Sequence, residues 1–285
     1  MTKMAIVTGA SSGIGEATAE LLARFGYTVY GTSRRGAAAA PRAARPFEML
    51  ALDVTSEDSV AALVAEVLRR HGRVDLLVNN AGFGVAPAAA QESSIAQGQA
   101  IFDTNFFGIV RMMRAVVPQM RRQGEGRIIN ISSVLGFVSM PYAALYCATK
   151  HVVEGYSESL DQELRTLGVR VSLIEPAYIN TPFEVNQLQP DAPLPEYREA
   201  RATIALRVKE AMEGADGPDV VARTVLKAAL DPRPKVRYTA GAMAARLRAL
   251  RRFAPAALVE AGIRKDMRLD AQPPVGPVAV LLEQA

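Results

Sequence analysis

Tyr146 and Lys150 stand four residues apart in a stretch of helical periodicity, which puts both side chains on one helix face. A free phenol loses its proton only near pH ~10, too high for efficient proton exchange at neutrality. An ammonium group beside it stabilises the phenolate. Lowering the phenol by ~3 units takes ~4 kcal/mol, within reach of a cation in a poorly solvated cleft. Ser133, at the end of an apolar strand-like run, can hydrogen-bond a substrate oxygen as charge develops on it. Together the three suit acid–base work at a substrate oxygen. Alone, Tyr-x-x-x-Lys on a helix is common surface decoration, so the pattern needs support from elsewhere in the chain.

That support begins at Thr8-Gly9-Ala10-Ser11-Ser12-Gly13-Ile14-Gly15, which follows a short apolar run and opens a helical pattern. Gly9 permits a tight turn, Gly13 a close approach of backbone to a pyrophosphate, and Gly15 close packing of the helix. Free N–H groups at the helix start then face the anion. A dinucleotide is the expected ligand. An acid about 20 residues further on would hold the 2′-hydroxyl of NAD. Here Thr32-Ser33-Arg34-Arg35 occupies that place, with no acid between Glu20 and Glu48. Arg34 offers a planar fork to a 2′-phosphate and Ser11 adds a hydroxyl, so NADP(H) is favoured and NAD(H) remains possible. The plainer reading of Arg34 and Arg35 is a solvated pair at a strand end.

The elements that must position these groups read as alternating strands and helices. Residues 3–8, 28–32, 47–52, 76–79, 127–132, 169–174 and 235–239 are apolar-rich runs bounded by Gly, Asn, Asp or Pro. Helical patterns fill 13–25, 56–71, 99–122, 143–167 and 218–230, with Ser56 the clearest helix start. Seven strands in this alternation predict an α/β, Rossmann-type doubly wound parallel sheet with helices on both faces. No linker divides the first 240 residues, so residues 1–240 are expected to form one catalytic domain. Residues 241–285 form an extension packed on it, helical at first and then a loose tail. Residues 35–46 read as a low-complexity surface loop. The proline-rich stretch 186–197 is either a lid over the ligand crevice or a plain surface connection.

Composition removes other classes of function. The chain has 285 residues, 49% hydrophobic and 22% charged, which fits a soluble globular protein. One cysteine, Cys147, and two histidines, His71 and His151, give no disulfide and no expected metal site. Net charge is +4, but residues 231–268 alone carry ten Lys/Arg against three acids. That basic segment reads as a solvated helix face, or as a contact for an anionic membrane with Pro255 interrupting any single helix. Nucleic acid is not an expected partner, because no aromatics interleave with the arginines. The uncharged stretch 128–149 is long enough to span a bilayer but carries too many polar residues to do so. No targeting segment is visible, and the cytoplasm is the expected address.

Taken together, these motifs resemble the short-chain dehydrogenase/reductase family over roughly residues 3–240. The resemblance maps the family's glycine motif onto Gly9 to Gly15 and its adenine-side Asp onto Asp53, followed by Val54. The family's Asn-Asn-Ala-Gly stands as Asn79-Asn80-Ala81-Gly82, and its catalytic asparagine as Asn105. Its serine maps to Ser133 rather than Ser132, and its tyrosine and lysine to Tyr146 and Lys150. After the sixth strand, Pro176 and Thr181 match the residues that hold the carboxamide side of the cofactor. Ala177 replaces the family glycine after Pro176, which puts the local backbone and the pocket width in doubt.

The resemblance implies hydride transfer between a nicotinamide and a carbonyl carbon, with Tyr146 exchanging the proton on oxygen. Lys150 would hold the nicotinamide ribose, and with the positive nicotinamide would depress the phenol. Ser133 would orient the substrate, and Asn105 would hold a water linking Lys150 to solvent. Residues 29–34 and the C-terminal extension are similar to a lipophilic-substrate subgroup containing 17β-hydroxysteroid and retinol dehydrogenases. Phe83, Val85, Leu135, Phe137, Met140, Tyr142, Tyr178 and Phe183 are candidates to line an apolar pocket or to serve as core. A homodimer or homotetramer is implied at the family level. Two alternatives stay open: an NAD-dependent alcohol dehydrogenase of the same family, and a catalytically silent dinucleotide sensor.

Overall fold

The computed structural model describes residues 2–36, 45–183 and 186–269. Seven strands form one parallel sheet: β1 (Met4–Val7), β2 (Thr28–Ser33), β3 (Glu48–Ala51), β4 (Leu76–Asn79), β5 (Gly126–Ile131), β6 (Val169–Pro176) and β7 (Arg237–Ala240). Their order is β3-β2-β1-β4-β5-β6-β7, the doubly wound arrangement expected from the sequence. The helices are α1 (Gly13–Arg24), α2 (Glu57–His71), α3 (Ile95–Phe102), α4 (Gly108–Gln123), α5 (Ala144–Leu164), α6 (Arg198–Glu213), α7 (Pro218–Leu230), α8 (Ala242–Phe253) and α9 (Ala256–Asp266).

Alternation along each strand divides the core between the two faces of the sheet. Met4, Ile6, Leu77, Ile128 and Val171 pack with the apolar stripes of α2, α4 and α5. Ala5, Val7, Leu76, Val78 and Ile129 turn the other way, onto α1 and α7. Ser56 caps α2, accepting from the Ser59 N–H at 3.2 Å, and Gly72 ends that helix in the left-handed conformation. The expected helix over 99–122 starts earlier, at Ile95, and is interrupted by a π-turn at Asp103–Phe107.

Chain reversal falls between β1 and β4, so a crevice opens at their carboxyl ends. The 37–44 part of the low-complexity connection and the 271–285 tail lie outside the described residues. Helix α6 has no counterpart among the expected elements; its Arg and Glu content masks a narrow buried face at Ala200 and Ile204. Pro255 separates α8 from α9, as its lack of an N–H requires. Among the described residues, no helix is long and apolar enough to cross a membrane. The uncharged stretch 128–149 is divided between β5, a short turn and the start of α5.

Candidate active site

The glycine turn leaves β1 at the crevice with Gly9 and Gly13 in the left-handed region, at φ 67° and 59°. Thr8 binds it to the next strand: its hydroxyl accepts from Asn80 N at 2.9 Å and Ala81 N at 3.0 Å. Asn80 Nδ2 donates back to the Thr8 and Gly9 carbonyls at 2.9 and 3.1 Å. Gly15 closes the joint, since a Cβ there would lie 2.3 Å from the Gly9 carbonyl oxygen. Ser12 stands at the N-cap of α1 without a side-chain cap bond, which leaves first-turn amides for an anion. Ile14 packs partly into the core beneath. Thr181, beyond β6, comes across to Gly13, where a Cβ would lie 3.1 Å from the Thr181 Cβ. These residues fit a dinucleotide: an uncapped helix start, a turn without side chains, and Thr181 facing it.

At the adenosine end, Asp53 is spent on its own turn, accepting from Thr55 N at 2.9 Å and Thr55 Oγ1 at 2.7 Å. Those bonds hold its carboxyl below the usual range, and the Arg34 charge adds to the effect. Arg34 is exposed at the end of β2, and Val54 packs against Gly108 at the start of α4. Arg45 is the residue that sequence reasoning missed. Placed at the end of a presumed surface loop, it lies over the glycine turn instead. It donates to the Ser11 carbonyl at 3.2 Å and pairs with Glu16 of α1 at 2.9 Å, both side chains mostly buried. One of several arginines in an alanine-rich stretch carries no signal of such a place.

Ser133 ends the β5 segment and caps the next turn, its hydroxyl accepting from Leu135 N at 3.1 Å. Tyr146 and Lys150 occupy the first two turns of α5. Lys150 Nζ donates to the Ile131 carbonyl at 2.9 Å and stands 5.5 Å from the centre of the Tyr146 ring. Asn105 lies in the π-turn, buried, with both amide atoms on the Phe83 backbone: it accepts from Phe83 N at 3.0 Å and donates to Phe83 O at 2.9 Å. Its side chain thus braces the loop after β4 and also donates to Thr149 Oγ1 at 3.3 Å. Gly82 fits beneath it, a Cβ there meeting Asn105 Oδ1 at 3.0 Å. π-turns of this kind are frequent at functional sites.

The expected depression of the Tyr146 phenol is not met by the protein alone. Burial pushes the phenol up, and Ser133 only partly opposes this. Burial likewise drags the Lys150 ammonium down to about 8, with Glu154 opposing it. Desolvation disfavours both charged forms.

Around this set, Phe183 meets the Tyr146 ring at 5.7 Å, Tyr178 donates to Met140 Sδ at 3.7 Å, and Val85 bridges to Leu188. Tyr142 takes φ 61°, costly for an aromatic residue, and its ring meets Tyr197 at 6.2 Å. Phe137 instead lies under the Arg248 guanidinium of α8, at 4.6 Å. Pro176 ends β6, buried beside Ala240. Ala177 is not among the positive-φ residues, so its methyl imposes no backbone strain where the family has glycine.

The 186–197 segment is tied down rather than free. Buried Glu92 accepts from Leu194 N and Ala89 N, both at 2.8 Å, and pairs with Arg201. Asp191 accepts from Ser94 N at 2.7 Å, and Gln97 reaches the Gln189 carbonyl at 2.8 Å. Glu92 was not a sequence candidate; its carboxylate accepts from the Ala89 N–H, half of a capping box, with no Ser or Thr at position 89 to announce it.

A sequence model described as short chain dehydrogenase matches residues 3–191. The chain is 42% identical over 184 residues to a 3-ketodihydrosphingosine reductase of Bacteroides thetaiotaomicron, a match covering 64% of this chain and 66% of that one. It is 38% identical over 194 residues to retinol dehydrogenase 8 of Bos taurus, covering 65% of this chain and 61% of that one. In both cases the match spans less than two thirds of the relative. A crystal structure of a short-chain dehydrogenase from Streptomyces avermitilis superposes with a TM-score of 0.77 at 31% identity, over 95% of this chain and 98% of that one. With a matching model over most of its length, a seven-stranded parallel sheet and a glycine turn at the chain reversal, this protein belongs to the short chain dehydrogenase family and is a dehydrogenase/reductase enzyme.

Proposed function

We propose that the enzyme is an NADP-preferring reductase or dehydrogenase acting on a carbonyl/alcohol carbon of a bulky apolar substrate. The observation that carries this reading is the convergence of Ser133, Tyr146 and Lys150 on the crevice that holds the glycine turn. The turn from Gly9 to Gly15 would hold the pyrophosphate, with Ser11, Ser12, Ile14 and Asp53–Val54 along the adenosine half. Asn80, Ala81, Gly82, Pro176 and Thr181 would line the nicotinamide half. When bound, the nicotinamide supplies or accepts the hydride. Tyr146 then gives or takes the proton at the substrate oxygen, Ser133 holds that oxygen in place, and Lys150 supplies positive charge beside the phenol. Asn105 braces Phe83 at the edge of the same cleft.

NADP over NAD is supported by exposed Arg34 and by the lack of an acid between Glu20 and Glu48. An apolar substrate is supported by the aromatic and thioether groups around Tyr146, where Phe183 meets its ring at 5.7 Å and Tyr178 lies against Met140. The names of the sphingoid and retinol relatives fit the same chemistry. Residues 1–240 serve as the catalytic unit in this reading, with 241–269 packed on it through Arg248 and Arg251. Exposed Phe107, at the end of the π-turn, and Val152, on α5, support self-association as a dimer or tetramer.

The test is turnover of NADPH with a panel of long-chain ketones, retinoids, steroids and small aromatic carbonyls. Tyr146→Phe should reduce turnover at least ~1,000-fold, the upper part of what one acid–base group contributes together with its electrostatics. It should leave the NADPH-induced rise in melting temperature intact. Equal turnover by parent and variant would overturn the reading.

A further inference from the structure

Beside the catalytic helix, charged side chains from α5, β6, β7 and α8 meet. Glu154 lies one helical turn after Lys150, and its carboxylate accepts from Arg237 Nε at 2.9 Å. The same nitrogen stands 3.6 Å from Glu175 Oε1, so two carboxylates compete for one donor. Glu175, on β6, has no exposed side-chain surface, and Arg248 of α8 approaches it at 3.2 Å. Arg248 does so while stacked on the Phe137 ring at 4.6 Å, and Arg251 donates to the Phe137 carbonyl at 3.1 Å. The second arm of Arg237 goes to Glu158, an exposed carboxylate, at 2.9 Å. Ser132 Oγ, Glu154 Oε1 and both Glu175 oxygens are buried without a hydrogen-bond partner. The turn that follows Ser133 packs on this group: a Cβ on Gly136 would lie 2.8 Å from both Glu154 Cγ and Ser132 Oγ.

Two buried carboxylates drawn to the same Arg237 nitrogen, with Arg248 as a second cation beside Glu175, are costly to ionise together, and the pair favours a single negative charge. Glu154 has the shorter contact with Arg237, 2.9 against 3.6 Å, and is the better placed of the two to carry the charge. Glu175 is wholly enclosed, which pushes its carboxyl up to about 7 despite Arg248 and Arg237. Lys150 therefore has the Glu154 carboxylate one turn along its own helix and the Tyr146 ring 5.5 Å away. That charge opposes the burial that would otherwise strip the ammonium of its proton.

We propose that Glu154 is a positioning residue that keeps Lys150 an ammonium, and that Glu175, clamped by Arg237 and by Arg248 of the C-terminal extension, stores the proton that lets Glu154 stay charged. The importance of the ammonium rests on the reductase reading above; its charge state does not. The extension thereby contributes to the electrostatics of the catalytic helix.

The deciding experiment titrates the lysine side chains of the full, substrate-free chain by NMR with ε-carbon labelling, using Lys150→Met only to assign the resonance. Glu154→Gln should lower the Lys150 midpoint by about one unit, a tenfold loss of proton affinity. Glu154→Asp, which keeps the charge, should restore most of it. In the parent protein the Lys150 resonance should also register a smaller step as Glu175 ionises, and Glu175→Gln should remove that step. An unmoved midpoint in folded Glu154→Gln would overturn the proposal. Should that variant not fold, the lack of the smaller step in the parent would overturn it equally. With a working substrate, the alkaline limb of kcat in the reductive direction should move to lower pH by the same unit in Glu154→Gln, with KM held within twofold. Failure of every carbonyl to turn over, with the midpoint shifted as expected, would defeat the reductase reading and leave this one standing.

Discussion

Arg34 is the residue on which cofactor choice turns, because it is exposed, ends β2 and has no neighbouring acid in the sequence to repel a phosphate. A guanidinium–phosphate pair contributes roughly 1.5–3 kcal/mol. Arg34→Ala should therefore weaken NADPH by about 10- to 100-fold and leave NADH within about twofold, as read by titration calorimetry. Equal losses for both cofactors would remove Arg34 from the 2′-phosphate site. Arg45 is a poorer candidate for that contact, since Glu16 already engages it. At this same scale Cys147 is inert: buried, with burial pushing its thiol up, and accepting from Met140 N at 3.4 Å. His71 likewise serves structure, its ring nitrogen 2.9 Å from the Tyr30 hydroxyl at the end of α2.

Between β1 and β4, the joint made by Thr8, Gly9, Gly15 and Asn80 is the element on which the cofactor cleft depends. Only a residue without a side chain leaves room for the Asn80 amide to reach both carbonyls. Gly15→Ala places a methyl 2.3 Å from the Gly9 oxygen and 2.5 Å from Asn80 Nδ2, so backbone must move. Such overpacking costs about 1–3 kcal/mol. A denaturant midpoint lowered with unchanged slope would show it, and NADPH affinity should fall in the same variant; parent-like stability would refute this account of the joint. The π-turn at Asp103–Phe107 does comparable positioning work from α3 and α4, seating Asn105 where it latches Phe83.

Across the whole molecule, Asp161 ties helix to sheet. It is fully buried on α5 and accepts from Arg170 Nε at 2.8 Å and Val171 N at 3.0 Å, with Arg165 closing the group. Burial alone would raise its carboxyl, but these donors outweigh it and hold the group below its ordinary value. Because the folded value is the lower one, the stabilisation is fully present above the ordinary carboxyl range. It is lost as pH falls through the depressed value. Asp161→Asn should cost about 1.5–3 kcal/mol at neutral pH, since it removes a buried charged acceptor while Arg165 and Arg170 keep contact with water and Arg170 keeps the Pro234 carbonyl. The stability gap between parent and variant should narrow on acidification below pH ~4, and a gap independent of pH would contradict the assignment. The basic C-terminal segment also belongs to this scale. Arg237, Arg248 and Arg268 pair with acids within the molecule and Arg251 donates to the Phe137 carbonyl, so part of the charge that reads as a solvated face in sequence is internal pairing. Phe253 and Leu258, at the break between α8 and α9, remain exposed.

What the sequence determined by itself was whatever local chemistry dictates. Alternating apolar runs specified seven parallel strands, Gly9 and Gly13 announced a turn only glycine adopts cheaply, and spacing put Tyr146 and Lys150 on one face. Tertiary structure alone decided the contacts made between distant segments. Arg45 reaches Ser11 across 34 positions, Leu194 reaches Glu92 across 102, and Arg237 reaches Glu154 across 83. No periodicity encodes such pairings, because each depends on which strands lie side by side and on how much water is excluded between them. The same exclusion sets the charge states of Tyr146, Lys150 and Glu175, which residue type and spacing leave undetermined.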